Sequence, residues 1–299
     1  MSRKILFFIN PISGTRSKLR LEEKITRACL EKNVAFEILF TSRDGDYSFL
    51  RDKINKDFIS DIAICGGDGS LSPVISAVSG MPVRIGILPL GSGNGLARTA
   101  GIPVSVDRAL DIILKGKVQA TDAFLINNRF SCHVCGLGFD AKVAHDFAKS
   151  KSRGLPEYTR LAIKNFIAAK PYPFTVEADG RTFDTEAFLI CIANSNQFGN
   201  NLKIAPRASL SDGLLDIVIL KKTGKAAVVL SFVQQILSGK ITHIRSADNH
   251  SKDLLYFQTE RLSIQNPQRA PLHIDGDPAE TSGNFSIEIL PGAFLLIQP

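Results

Sequence analysis

Residues 61–70 read Asp61-Ile62-Ala63-Ile64-Cys65-Gly66-Gly67-Asp68-Gly69-Ser70, an apolar run set directly against three glycines that surround one carboxylate. The apolar run predicts a short buried strand, and the residues after it predict the start of a helix. Glycines let the backbone approach a bulky anion closely. A helix start adds unpaired N–H groups and the positive end of the helix dipole. An aspartate inside a phosphate-binding turn repels phosphate unless a cation lies between them. The stretch therefore points to a nucleoside triphosphate with Mg²⁺ rather than to a simple phosphate pocket.

On either side of this stretch, strand and helix signals alternate. Strands are expected at Lys4–Ile9, Val34–Thr41, Asp61–Cys65 and Val83–Leu88. Helices are expected at Ser17–Glu31, Tyr47–Ile54, Leu71–Val78, Gly95–Thr99 and Val106–Leu114. Such alternation argues for a mostly parallel sheet with helices on both faces. Ligands of these sheets bind beyond the carboxyl ends of the strands, and the loops at Asn10, Thr41, Gly66 and Gly91 all follow strands.

The pattern changes near Ala120. Two strands are expected around Asn127-Asn128, helix over 139–169, and a hairpin over 173–195 around Asp179-Gly180. Further expected strands are Leu214–Leu220, Ile241–Ser246, Leu254–Gln258, Arg261–Ile264, Leu272–Ile274 and Phe285–Ile289, with one helix at Ala226–Leu237. The expected fold is thus an α/β N-terminal domain over 1–122 and a β-rich, mainly antiparallel domain over 123–290. The last run, in 291–299, is expected to return to the first domain.

Composition narrows the class. With 44% hydrophobic and 22% charged residues the chain has ordinary globular composition. The net charge of +7 suits solubility, or attraction to a phosphate-bearing partner or a membrane surface. No nucleic-acid-binding motif and no dense Lys/Arg block is present, so nucleic acid is not the expected partner. The five cysteines are odd in number, and Cys65 and Cys191 lie in strand-like runs, which suits a reducing compartment. Cys132 and Cys135 form a C-x-x-C without the second pair a zinc site needs, and read as strand residues. The apolar run at Ile5–Ile9 is too short for a signal peptide, and no window is long enough for a transmembrane helix. A cytoplasmic protein is expected.

A second glycine-rich turn, Leu88-Pro89-Leu90-Gly91-Ser92-Gly93-Asn94-Gly95, again follows a strand. It matches neither the dinucleotide fingerprint nor the P-loop. Alone it is equally a plain turn with Asn94 as N-cap. Beside Gly66–Ser70, one strand earlier, it can face the same ligand. A third element, Asn10-Pro11-Ile12-Ser13-Gly14-Thr15, follows the first strand. It either caps the next helix or adds donors to the same phosphates.

In this order and at strand ends, these three motifs resemble the catalytic domain of the diacylglycerol kinase and sphingosine kinase superfamily, most closely its bacterial lipid kinase branch. The resemblance continues through Gly136-Leu137-Gly138-Phe139-Asp140-Ala141, Ser211-Asp212-Gly213-Leu214-Leu215-Asp216 and Ile274-Asp275-Gly276-Asp277-Pro278, so it covers nearly the whole chain. It implies a nucleotide domain and a lipid domain with a cleft between them. It further implies that ATP phosphates are held by Asn10, Pro11, Ser13 and Gly14, by Thr41, by Gly66, Gly67, Asp68, Gly69, Ser70, Leu71 and Ser72, and by Ser92, Gly93 and Asn94. A Mg²⁺ site at Ser209, Asp212 and Leu214 is implied as well, although Ser211-Asp212-Gly213 by itself reads as a simple turn.

Transfer of a phosphoryl group to a hydroxyl needs a carboxylate to accept the proton and cations to neutralise the phosphoryl oxygens. The resemblance assigns the first role to Asp277 and leaves Asp68 to organise Mg²⁺. The family motif usually reads Asp-Gly-Glu, so Asp277 reaches one methylene less far. On turn statistics alone, Asp275-Gly276 is also a hairpin turn.

The expected activity is that of an ATP- and Mg²⁺-dependent kinase acting on a lipid with a free hydroxyl, at the inner membrane face, with a homodimer allowed. Two alternatives stay open: a soluble-substrate kinase related to the NAD kinases, and a non-catalytic nucleotide-binding module. Residues 149–170 carry Lys149, Lys151, Arg153, Arg160, Lys164 and Lys170 beside Leu155, Tyr158, Leu161, Phe166 and Ile167. They read either as a basic face for anionic lipid or as an ordinary surface helix.

Overall fold

The computed structural model describes residues 3–11, 13, 18–42, 45–152, 154–199, 202–221 and 254–299. Gly14, Arg153, and the helix and strand expected at Ala226–Leu237 and Ile241–Ser246 lie outside the described residues.

The first half is built on four parallel strands, β1 (Lys4–Ile9), β2 (Ala35–Phe40), β3 (Asp61–Gly66) and β4 (Arg84–Pro89), in the spatial order β4-β3-β1-β2. β1, β3 and β4 are buried at nearly every position, because helices cover both faces of a parallel sheet. These helices are α1 (Lys18–Glu31), α2 (Leu50–Asp57), α3 (Asp68–Val78), α4 (Gly95–Thr99) and α5 (Val106–Lys115). The strand order reverses between β1 and β3, which opens a crevice at their carboxyl ends.

Two helices differ in extent from the sequence reading. α3 starts at Asp68 rather than Leu71, because the Ser70 amide already bonds to the Gly67 carbonyl at 2.9 Å. α2 starts at Leu50 rather than Tyr47, because the Asp46 carboxylate takes the Ser48 amide at 2.9 Å and holds the preceding residues in a turn.

The second half is mainly antiparallel. Its strands are β5 (Lys117–Ile126), β6 (Arg129–Ser131), β7 (Val134–Gly138), β8 (Tyr172–Ala178), β9 (Arg181–Ala193), a small ribbon of β10 (Gln197–Gly199) and β11 (Leu202–Lys203), then β12 (Leu215–Lys221), β13 (Leu254–Thr259), β14 (Arg261–Gln265), β15 (Leu272–Ile274) and β16 (Asp277–Ala279). The tight hairpins fall at Asn127-Asn128 and Asp179-Gly180, where both residues of each pair adopt positive φ as a two-residue turn requires.

The two runs expected at the C-terminus form one strand, β17 (Asn284–Gln298), with a register shift between Leu290 and Phe294. Pro291 lacks an amide donor and Gly292 has φ of 60°, so the chain bulges there without leaving the sheet. β17 pairs antiparallel with β5 and β14, and Leu295 and Leu296 pair parallel with Arg84 and Ile85 of β4. One fifteen-stranded sheet therefore runs through both halves, with separate cores above the parallel and antiparallel parts.

The basic segment forms the end of α6 (Phe139–Lys149) and α7 (Leu155–Ala168). Leu161, Ala162 and Phe166 are buried, packed with Phe139, Val143 and Phe188, whereas Ile167 of the same helix is exposed. Arg160 is held by Glu157 through two bonds of 2.8 Å. Among the described residues no helix is long and apolar enough to cross a membrane.

At the opposite end of the parallel strands from the glycine turns, Asp61 is fully buried. It takes bonds from Arg3 (3.0 and 3.2 Å), Arg84 (2.6 Å) and Ser60 Oγ (2.6 Å), while Arg3 also reaches the Ile113 and Leu114 carbonyls at the end of α5. Removing one partner of a buried ion pair leaves the others uncompensated. Asp61→Ala is expected to lower unfolding stability by about 3–5 kcal/mol, measured as a loss of urea midpoint with an unchanged slope.

Candidate active site

Three turns meet at the carboxyl ends of β1, β3 and β4. The Asn10 amide bonds to the Cys65 carbonyl at 3.0 Å, and Asn10 Nδ2 donates to Ser70 Oγ at 2.8 Å. The Leu90 amide bonds to the Gly66 carbonyl at 2.8 Å. Gly67 and Gly91 lie backbone to backbone, so that a Cβ on Gly67 would stand 3.0 Å from Gly91 Cα. Ser13 closes its own turn onto the Asn10 carbonyl, and the Thr41 amide bonds to the Ile9 carbonyl at 2.9 Å. Pro11, Gly69 and Ser92 are exposed, whereas Leu71 and Ser72 are buried.

Asn94 stands at the N-cap position of α4 but does not cap with its side chain. It folds back onto Gly91, accepting its amide at 2.9 Å and donating to its carbonyl at 2.8 Å. The first amides of α4, those of Gly95 and Leu96, are taken by the Asp68 carboxylate at 3.0 and 3.3 Å. Asp68 thereby ties the first glycine turn to the second. β10 closes over Gly93 from the second half, with Gly199 against it.

The second half also brings the Asp275-Gly276-Asp277 turn to this edge. Asp275 is buried and accepts bonds from Ser72 Oγ, from Ser131 Oγ at 2.7 Å, and from the His133 and Val134 amides at 3.1 Å each. Asp277 lies over the first turn of α3, and a Cβ added at Gly69 would collide with its carboxylate. Gly69, Ser72, Pro73 and Ser76 of α3 then face Arg129, Phe130, Ile274, Asp277 and Pro278 across a groove of about 240 Å³.

Sequence reasoning missed the brace behind this turn. His273 Nε2 lies 3.3 Å from the buried Asp140 carboxylate, and His273 Nδ1 lies 3.3 Å from the Gly276 amide. Gly136 leaves no room for a Cβ because Asp140 and His273 press against it. The glycine two residues before Gly138 in the 136–141 motif was the available signal.

The three carboxylates are solvated differently. Burial raises the pKa of Asp275, against the lowering effect of His133 and of the Ser72 and Ser131 hydroxyls. Asp277 keeps exposed surface, yet the protein crowded around its carboxylate raises its pKa, with Asp275 and Asp68 adding to the rise and His273 opposing it. The thiols of Cys132 and Cys135 are pushed well up by burial, and all five cysteines are buried and unbridged.

The Ser209–Leu214 loop stands elsewhere. Asp122 holds the amides of Gly213 (2.8 Å) and Gly292 (2.7 Å), and the adjoining Ala293 carbonyl receives Gly80 and Ser79 at the far end of α3. The loop is therefore near the starting end of β4, whereas the glycine turns are at its finishing end. The strand separates them by roughly 17 Å at about 3.3 Å per residue. Asp212 Oδ1 takes the Leu214 amide at 3.1 Å. The loop's donors are oxygens with one carboxylate, and among the described residues no three His, Cys, Asp or Glu side chains gather as a metal site.

Because folding raises the Asp277 pKa, its favourable contribution is complete below the unfolded carboxylate pKa of about 3.9 and is lost as pH rises through the folded value. Asp277→Asn is thus expected to be more heat-stable than the parent at pH 7, with the difference vanishing near pH ~3, read as melting temperature against pH.

The chain as a whole is similar to known proteins. The family described as Diacylglycerol kinase catalytic domain matches residues 4–126, and the family described as YegS C-terminal NAD kinase beta sandwich-like domain matches residues 133–298. The chain is 29% identical to the Probable lipid kinase YegS-like of Shewanella frigidimarina, over 81% of this chain and 78% of that protein. It is 28% identical to the Diacylglycerol kinase of Bacillus subtilis, over 72% and 70%. A crystal structure of a diacylglycerol kinase from Bacillus anthracis shares the fold, with a TM-score of 0.76 over 99% of this chain and 97% of that one, at 21% identity.

Proposed function

The chain belongs to the family that joins a diacylglycerol kinase catalytic domain to a YegS-type C-terminal domain, and from that premise we propose that it transfers the γ-phosphoryl group of ATP to the hydroxyl of a lipid. The observation that carries this reading is the placement of the Asp277 carboxylate over the first turn of α3, at the mouth of the groove. In this reading the triphosphate lies along the three glycine turns, with Asn10, Ser70 and Ser92 around it. The N-terminus of α3, an eleven-residue helix, contributes its amides and dipole.

The acceptor enters by the groove beside Pro73, Phe130, Ile274 and Pro278. A space of about 240 Å³ suits the head of a lipid and leaves its chains outside. As the acceptor oxygen bonds to the γ-phosphorus, the bond to the β–γ bridging oxygen breaks and ADP leaves. The hydroxyl proton passes to Asp277, whose raised pKa makes it a better base than an ordinary surface aspartate.

Asp68 and Asp277 facing a triphosphate concentrate negative charge that a divalent cation neutralises when bound. Mg²⁺ usually keeps several waters and takes one or two carboxylates plus the phosphate oxygens, and Asp68 and Asp277 are the carboxylates within reach. A cation at Ser209, Asp212 and Leu214 would serve the loop's structure, since that loop lies at the other end of β4. With most of the apolar face of α7 buried, membrane contact rests on charge, through Lys149, Lys151, Lys164 and Lys170 and the net charge of +7, with Ile167 exposed beside them.

The test is incubation with γ-labelled ATP, Mg²⁺ and mixed-lipid vesicles, followed by mass spectrometry of the product. Labelled lipid is expected, and Asp277→Asn is expected to lower kcat by about 10²–10⁴-fold with ATP affinity retained. Labelling of NAD and of no lipid would overturn the reading.

A further inference from the structure

We infer that Ser72 is a positioning residue, a latch that ties α3 to the Asp275–Asp277 turn, rather than a ligand of the nucleotide phosphates. The inference rests on the reading of Asp277 as proton acceptor.

The geometry of α3 separates Ser72 from the phosphate side. Residues two apart on a helix point about 200° from one another, whereas residues three or four apart share a face. Ser70 faces Asn10 and the glycine turns. Ser72 shares the other face with Gly69, Pro73 and Ser76, which lines the groove. One hydroxyl of this pair can serve the triphosphate, and Ser70 holds that position.

The Ser72 hydroxyl is also fully used. Its residue is 6% exposed, its single proton goes to Asp275 Oδ2, and its oxygen takes the Cys132 amide at 3.1 Å with Cys132 Sγ at 3.0 Å. The other donors to Asp275 among the described residues, Ser131 Oγ and the His133 and Val134 amides, all belong to the second half. Ser72 is therefore where the helix of the first half grips this carboxylate. The step from Gly69 to Ser72 rises about 4.5 Å along the helix, within the at most about 7 Å that the two residues from Asp275 to Asp277 can span. Thus Ser72 meets Asp275 while Gly69 meets Asp277. Losing the first contact frees the second to drift, and a misplacement of about 1 Å at a reacting group costs on the order of 10²-fold.

The experiment compares the parent, Ser72→Ala, Asp277→Asn and the double variant in full-length protein. ATP affinity is measured by calorimetry, turnover on lipid vesicles by label transfer, and amide exchange at Cys132 by mass spectrometry. For Ser72→Ala the expected result is a kcat lower by about 10–100-fold, an ATP Kd within about twofold of the parent, and faster exchange at Cys132, which loses its acceptor. The double variant should be no slower than Asp277→Asn alone, because Ser72 acts through Asp277. An ATP Kd weakened at least about tenfold with kcat kept would make Ser72 a phosphate ligand and overturn the latch, as would unchanged kcat and exchange. If the parent phosphorylates no lipid, the functional reading fails, while the exchange arm still decides the latch. Asp275→Asn reads the same bond from its other end. Faster exchange at Cys132, His133 and Val134 in that variant supports the latch even if Ser72→Ala does not fold, and parent-like exchange there counts against it.

Discussion

β17 is the element on which the cleft depends. A parallel strand at one end of a sheet and an antiparallel strand at the other normally belong to different units, yet the fifteen residues of β17 pair with β4 in one half and with β5 and β14 in the other. A continuous ladder of backbone hydrogen bonds leaves little freedom for one half to rotate against the other. The bulge at Leu290–Phe294, held by Asp122, lets a single strand change partners without opening the ladder. With this frame in place, the turn before β16 can meet the first turn of α3 in a fixed way.

At that meeting point three aspartates crowd together, and the protein treats each differently. Asp68 is satisfied by the first amides of α4, and so joins two turns. Asp275 is buried and surrounded by four donors, which compensate its lost hydration. The Asp277 carboxylate makes no hydrogen bond among those of the described residues, and the residue keeps exposed surface and carries a raised pKa. The same residue type thus yields a tether, an anchor and the base of the proposed transfer. The like charges of Asp275 and Asp68 contribute to the raised pKa of Asp277, a cost in stability of the kind expected where a residue is placed for the proposed chemistry.

Some of this architecture was legible in residue order alone. The strand-to-glycine junctions at Asn10, Gly66 and Gly91 announced their turns because only glycine and small residues permit such close backbone approach, and buried parallel strands must be apolar on both faces. The hairpins at Asn127-Asn128 and Asp179-Gly180 were legible for the same local reason, positive φ. Other features were hidden. Asn94 looked like a helix cap, but the cap came from Asp68, twenty-six residues earlier. The basic segment at 149–170 read either as a lipid-facing helix or as an ordinary surface helix, and only the packing of α7 on α6 separated its buried residues, Leu161 and Ala162, from exposed Ile167. β16 and the β10 ribbon were too short to show a period.

Residue order alone carries the inventory: a parallel α/β half, an antiparallel half, three turns of glycine and small residues at strand ends, and an Asp-Gly-Asp late in the chain. These follow from short-range constraints, in which backbone conformation and hydropathy period act over a few residues. How that inventory is shared out follows from contacts made in the folded chain. Tertiary packing paired Ser72 with Asp275, set Asp277 over Gly69, braced the turn with Asp140 and His273, and left the Ser209–Leu214 loop at the far end of β4. Each of these depends on contacts between residues far apart in the chain, and such contacts are set by which strands share a ladder, a choice that no local pattern encodes.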